Sequence, residues 1–127
     1  MYYIVDSDKS FEQACEDLES SVIHNDFSVL HVHDLGKTLR AKGITFTPKC
    51  KVFEVCNPHH AANVMSADMR LNMVLPCRIS VYTDQDKTKI GLVKPVQMFS
   101  ALSDNPSLLK IFEEVETSTI QMIEQAR

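Results

Sequence analysis

The stretch that determines the fold runs from Cys50 to Pro58 and reads CKVFEVCNP. Its first six residues are rich in branched and aromatic side chains, which is typical of a β-strand. Asn57 can then cap a helix, and Pro58 suits the first helical position because that position makes no use of a backbone N–H. The sequence therefore predicts a strand that passes directly into a helix, and the helix runs from His59 towards Met69.

Four more strands and four more helices follow from similar patterns on either side of this stretch. Cys15 lies on the apolar side of the first helix, where apolar residues recur at helical spacing, and it is predicted to be a core residue. The other predicted strands cover residues 1–5, 27–33, 77–83 and 89–93. The other predicted helices cover about 10–24, 35–42 and 95–102 and a final stretch that starts at Asn105 or Ser107.

The order of these elements distinguishes between two architectures. The helices are too short and the strands too few for a doubly wound parallel sheet. An α+β fold is predicted instead, with an antiparallel sheet and helices on one face. The chain has 127 residues, only three glycines and no low-complexity stretch, so it is predicted to form a single domain over residues 1–127.

Charge and hydropathy narrow the classes of partner. Lys and Arg together number 13 and Asp and Glu 17, which gives a net charge of −4 and disfavours binding to nucleic acid. The sequence contains no run of about 20 apolar residues, which is the length needed to cross a membrane, so no membrane partner is expected. The first residues, MYYIVD, lack the pattern of a secretion signal. A cytoplasmic location is expected, where the four cysteines stay reduced.

Several motifs within residues 27–96 resemble a known family. The run from Phe53 to Pro58 is followed by Leu75-Pro76-Cys77-Arg78 and by Tyr82, and it is preceded by His31-Val32-His33-Asp34. This order of Asn-Pro and Leu-Pro motifs resembles the domain-of-unknown-function 302 family, in the branch that has cysteine before Asn-Pro. The resemblance implies an α+β fold like one half of the TATA-binding protein and a homodimer. It implies no activity, since function does not follow from fold.

The first candidate site is the turn around Cys56. This thiol precedes a helix N-terminus, where the positive end of the helix dipole can lower the pKa of a cysteine. His59 and His60 follow and could supply a base or a ligand, and Cys77 begins the next strand. Alternation along the strands points Cys56 and Cys77 to opposite faces unless a turn resets one of them. The alternative is a small buried cysteine followed by a solvated first turn of helix.

The second candidate site is the polar face of the predicted sheet. Polar residues alternate with apolar ones along three strands, so they share one side of the sheet. They could line a ligand pocket or a dimer seam, and ordinary exposure to solvent is the alternative. The residues are Glu54, Arg78, Ser80, Tyr82, His31 and His33.

Metals and cofactors find little support in the sequence. Cys56, His59 and Cys77 could contribute to a zinc site only through the fold, because no C-x₂-C pair is present. Methionines recur at every fourth position from Met65 to Met73, which we interpret as core packing, with copper(I) binding as the alternative. No glycine-rich phosphate loop is visible, and no cofactor is expected.

Three functions remain open. The first is a homodimer that binds a small anionic ligand near Cys56, Asn57 and Arg78. The second is a thiol-dependent redox or transfer activity that uses Cys56 as nucleophile, a histidine as base, and Cys77. The third is a purely structural or interaction dimer. A dimer is also expected because the final helix is apolar on more than one side, and such a helix usually buries two sides.

Overall fold

The computed structural model describes residues 1–127. Five strands form one sheet: β1 Tyr2–Ser7, β2 Ser28–Asp34, β3 Cys50–Cys56, β4 Cys77–Asp84 and β5 Lys87–Val93. Their order across the sheet is β1-β5-β4-β3-β2, and every neighbouring pair is antiparallel. The helices are α1 Phe11–His24, α2 Leu35–Ala41, α3 Pro58–Ala67, α4 Pro95–Ser100 and α5 Pro106–Ala126, with a 3₁₀ helix at Met69–Val74. None of these helices is both long and apolar enough to cross a membrane.

Local chemistry explains where the elements begin and turn. The side chains of Ser10, Asp34 and Asn105 each accept a hydrogen bond from an N–H in the first turn of the following helix. Gln85 and Asp86 have φ angles of 50° and 63°, which is the conformation of a two-residue hairpin turn between β4 and β5. Of the two starts that the sequence predicts for the final helix, Asn105 and Ser107, the structure has Asn105 as the cap.

The main core lies between the sheet and the two longest helices. Phe53, Ile79 and Ile90 come from three neighbouring strands and are almost completely buried there. Leu18 of α1 and Met122 of α5 pack against them from one side of the sheet. The predicted α+β fold, with an antiparallel sheet and helices on one face, is therefore confirmed.

A second core shows why α5 is apolar on more than one side. Phe112 of α5 stacks on Phe99 of α4, with ring centroids 4.6 Å apart, and Leu108 joins them. Val64 of α3 and Leu71 of the 3₁₀ helix complete this cluster. Both apolar sides of α5 are thus buried within the chain, so this helix gives no support to the predicted dimer, which stays a prediction.

The methionine stripe is interrupted by a break in the helix. Helix α3 ends at Ala67, and Asp68 adopts an extended backbone and caps the 3₁₀ helix by accepting from the N–H of Arg70. Met69 and Met73 fall in the 3₁₀ helix and are 66% and 77% exposed. The interpretation of these methionines as core packing was therefore wrong, because the helical spacing does not continue past Ala67.

Candidate functional site

A groove of about 600 Å³ lies along the sheet, lined mainly from the side that α1 and α5 leave uncovered, and Thr119 of α5 also contributes to its lining. Its floor is formed by residues of β1, β5, β4 and β3, and its walls by residues 73–76 together with Pro95 and Met98. This volume falls within the range of about 300–1,000 Å³ that is usual for small-molecule sites. The groove is larger than the hollow of about 380 Å³ that Lys9, Asp17 and His24 line on the helical side.

Strand alternation explains why the polar side chains of β4 lie on the same face of the sheet and line the groove. On β4, Arg78, Ser80 and Tyr82 line the groove and alternate with Ile79 and Val81, whose side chains are buried in the main core, although Ile79 also contributes to the lining. The face that the sequence predicted for these polar side chains is therefore the face that carries the groove.

Gly91 has no side chain and therefore leaves space in the floor of the groove. Gly91 of β5 pairs with Ser80 on one side and with Ile4 on the other. A Cβ at position 91 would come within 2.9 Å of the Ile4 side chain and 3.0 Å of the Tyr3 carbonyl oxygen. The missing side chain thus lets Ile4 lie close against β5 and leaves the middle of the floor open.

The charges in the groove are unevenly paired. Glu54 and Arg78 are the only Asp, Glu, Lys or Arg residues among its lining. Glu54 Oε1 lies 2.5 Å from His33 Nε2. Arg78 is directly opposite Glu54 in the β3–β4 register, yet its exposed guanidinium makes no hydrogen bond and no ion pair, whereas the guanidinium of each of the other three arginines does. A free guanidinium therefore stands on the floor of the groove.

Further donors and an apolar surface accompany this guanidinium. Burial raises the pKa of Tyr82, so its phenol stays protonated and can donate a hydrogen bond. Towards β1 the lining becomes apolar, with Tyr2 and Ile4 exposed by 70% and 47% and Val93 beside them. One end of the groove thus suits an anionic group and the other an apolar one.

The two histidines of β2 lie beside the groove and do not line it. The rings of His31 and His33 have centroids 4.3 Å apart at an angle of 65°. His31 is opposite Glu54 in the β2–β3 register, but only His33 bonds to the Glu54 carboxylate. Of the two predicted ligand-binding histidines, His33 therefore has an indirect connection to the groove and His31 has none.

The turn around Cys56 borders a separate and much smaller cavity. Cys56, Asn57, His60 and Cys77 line a space of about 20 Å³ beneath α3 and α5. This space holds about one water molecule and no organic ligand. The end of β3 brings Cys56 to the same cavity as Cys77, although strict alternation would have separated the two thiols.

The predicted grouping of Cys56, Asn57 and Arg78 is not formed. Arg78 follows Cys77 on β4, so its side chain lies on the opposite face from the small cavity and lines the groove. His59 is exposed and borders neither space. Residues 56–60 and Arg78, expected to form a single ligand site, therefore border two different cavities, which share Leu75, Pro76 and Cys77 in their linings.

The N-terminus of α3 offers no free N–H group to an anion. Asn57 Oδ1 accepts from the N–H groups of His59 and His60 at 3.0 and 3.3 Å. The Ala61 N–H bonds to the Asn57 carbonyl at 3.0 Å, and Pro58 has no N–H. Because the Asn57 cap already uses these groups, an anionic ligand near Cys56 and Asn57 stays a prediction that this helix N-terminus does not support.

The thiols lie in surroundings that disfavour the thiolate. Burial raises the pKa of Cys56, and it raises the pKa of Cys77 and of the core residue Cys15 to about 11. All four cysteines are free. No three His, Cys, Asp or Glu side chains converge into a set that could hold a metal ion. The structure therefore gives no support to a lowered pKa at Cys56.

We expect slow alkylation of Cys56 and Cys77 by iodoacetamide at neutral pH. Only the thiolate reacts, and a raised pKa keeps both thiols protonated, so Cys77 should react at least about tenfold more slowly than a free peptide thiol, and Cys56 should also react more slowly than that thiol. Mass spectrometry of the digested protein measures the rate at each cysteine, and the unfolded chain in guanidinium provides the control. Reaction of Cys56 at the rate of a free peptide thiol, or faster, would restore the thiol-dependent activity as a hypothesis.

The fold and the groove define an α+β protein with an open antiparallel sheet. The family model for Domain of unknown function DUF302 matches residues 3–126, and the chain belongs to this family. The crystal structure of the uncharacterized conserved protein DUF302 from Bacillus stearothermophilus is similar, with 31% identity and a TM-score of 0.93. The match covers 99% of this chain and 98% of that chain. No curated protein matches the chain.

Proposed function

We propose that this protein is a binding module that holds a small anionic ligand with an apolar body in the groove on the open face of the sheet. The observation that carries the proposal is the unpaired Arg78 guanidinium on the floor of a groove whose lining is apolar at 12 of 19 residues. A guanidinium is weakly hydrated and presents a planar set of donors that matches a carboxylate or a phosphate. Ser80 and Tyr82 add hydroxyl groups on the same face.

A matched pair of probes tests this proposal. Octanoate and octanol have the same chain length and differ in the charge of the head group, and the binding of each can be measured directly by calorimetric titration. Replacing Arg78 by glutamine should weaken octanoate binding roughly ten- to hundredfold, because a hydrogen-bonded charge pair is lost. Octanol binding should stay unchanged.

The control is Arg127→Gln, which removes an arginine that is paired with Glu124 and does not line the groove. It should leave the binding of both probes unchanged. The proposal is wrong if Arg78→Gln does not affect octanoate, or if it weakens octanoate and octanol equally.

We also propose that the protein is a homodimer whose partner copy covers the groove. The exposed apolar residues Tyr2, Ile4, Val93 and Met73 border the groove on the same face. Exposed apolar residues gathered in one patch are typical of an interaction surface.

The four free cysteines support a cytoplasmic location, where thiols stay reduced.

A further inference from the structure

The unpaired state of Arg78 needs an explanation, because a partner lies within reach. Glu54 and Arg78 are directly opposite each other on β3 and β4 and lie on the same face of the sheet. Oppositely charged residues in such positions normally form a cross-strand pair. No ion pair between them is present, although Glu54 is the only other charged residue in the groove.

The Glu54 carboxylate is held by a different neighbour. His33 pairs with Val52 in the β2–β3 register, so it is the diagonal neighbour of Glu54. Its Nε2 lies 2.5 Å from Glu54 Oε1, and because a carboxylate only accepts hydrogen bonds, the ring nitrogen donates. The contact turns the carboxylate towards β2, whereas Arg78 lies on β4, on the other side of β3. Glu54 is therefore drawn to the side of its strand that faces away from Arg78.

We propose that His33 is a positioning residue that keeps the anion site available by holding Glu54 away from Arg78. This inference rests on the proposed function of the groove. Without the His33 donor, the Glu54 carboxylate turns to Arg78 and competes with the carboxylate or phosphate of a ligand. His33 thus acts on the ligand through Glu54 and does not touch the ligand itself.

The experiment measures octanoate affinity in three variants of the full chain. His33→Leu removes the hydrogen-bond donor and keeps a side chain of similar size. It should weaken octanoate binding about fivefold, because the affinity falls by the free energy of the exposed ion pair that Glu54 then forms with Arg78. Adding Glu54→Gln to His33→Leu removes the competing charge and should restore the wild-type affinity. His31→Leu is the matched control, because His31 is on the same strand face but does not bond to Glu54.

Each result bears on the inference. Rescue by Glu54→Gln supports it, because a merely structural role of His33 would not be repaired by neutralising Glu54. An unchanged affinity in His33→Leu, or a loss that Glu54→Gln does not repair, overturns the inference and leaves the Arg78 site in place. An octanoate affinity that is insensitive to Arg78→Gln overturns the proposed function, and the inference falls with it.

Discussion

Replacing Phe53 by alanine should lower the free energy of unfolding by about 4 kcal/mol. Phe53 is 2% exposed and is the largest of the fully enclosed side chains in the main core, on a strand that has a hydrogen-bonded neighbour on each side. The change removes the apolar surface that the ring buries and leaves a cavity that a sheet packed on two helices can close only in part. Equilibrium denaturation in urea measures the loss.

Phe46 provides the matched control for this prediction. It lies in the segment between α2 and β3, is only half-buried, and belongs to neither core cluster. Phe46→Ala should cost less than about 1.5 kcal/mol, since substitutions outside a packed core are usually mild. Equal costs at the two positions would contradict the assignment of Phe53 to the centre of the core.

Much of the fold could be predicted because local chemistry specifies it. The Asn57 cap, Pro58 at the first helical position and the hairpin turn at Gln85 and Asp86 depend only on a few adjacent residues. Strand alternation then fixed which face of β4 is polar. Both kinds of pattern are short in range, so a sequence without structural context is sufficient to reveal them.

The break after α3 could not be predicted in the same way. The residues that follow Ala67 are compatible with continued helix, and the methionine spacing favours it. The helix ends because Asp68 caps a new 3₁₀ segment that places Leu71 in the second core. This packing depends on α4 and α5, which lie far away along the chain, so the local pattern carried no sign of it.

The candidate site was predicted in its parts but not in its arrangement. Glu54, Arg78 and Tyr82 were assigned to one face, and all three line the groove. The sequence could not show whether Glu54 would bind His33 or Arg78, because that choice depends on the diagonal geometry of neighbouring strands. Arg78 was also grouped with Cys56, because strict alternation puts both on the face opposite Cys77, whereas the end of β3 brings Cys56 to the cavity that Cys77 lines.

The apolar end of the groove was missed, and the sequence contained only a weak indication of it. Tyr2 and Ile4 alternate with Tyr3 and Val5 along β1, so both faces of this strand are apolar. Periodicity cannot tell which of two apolar faces is covered by helices. The structure places Val5 in the main core and leaves Ile4 on the open side.

Replacing Ile4 by lysine should convert a dimer into a monomer. In the proposed homodimer the open face meets a second copy, and Ile4 lies at the border of the groove where the partner would rest. A lysine there places an unpaired charge from each copy in an apolar interface. The free energy needed to bury these two charges usually exceeds the binding free energy of such an interface. Sedimentation of the wild type should give twice 14.4 kDa, and the variant should give 14.4 kDa.

Ile23→Lys separates an effect of this face from a general effect of added charge. Ile23 is 63% exposed on α1, on the helical side of the molecule, so the same substitution there should leave the dimer intact. A wild type that sediments at 14.4 kDa at micromolar concentration would contradict the dimer. Dissociation by Ile23→Lys alone would move the interface to the helical side, and the groove would then remain open to solvent in the assembled protein.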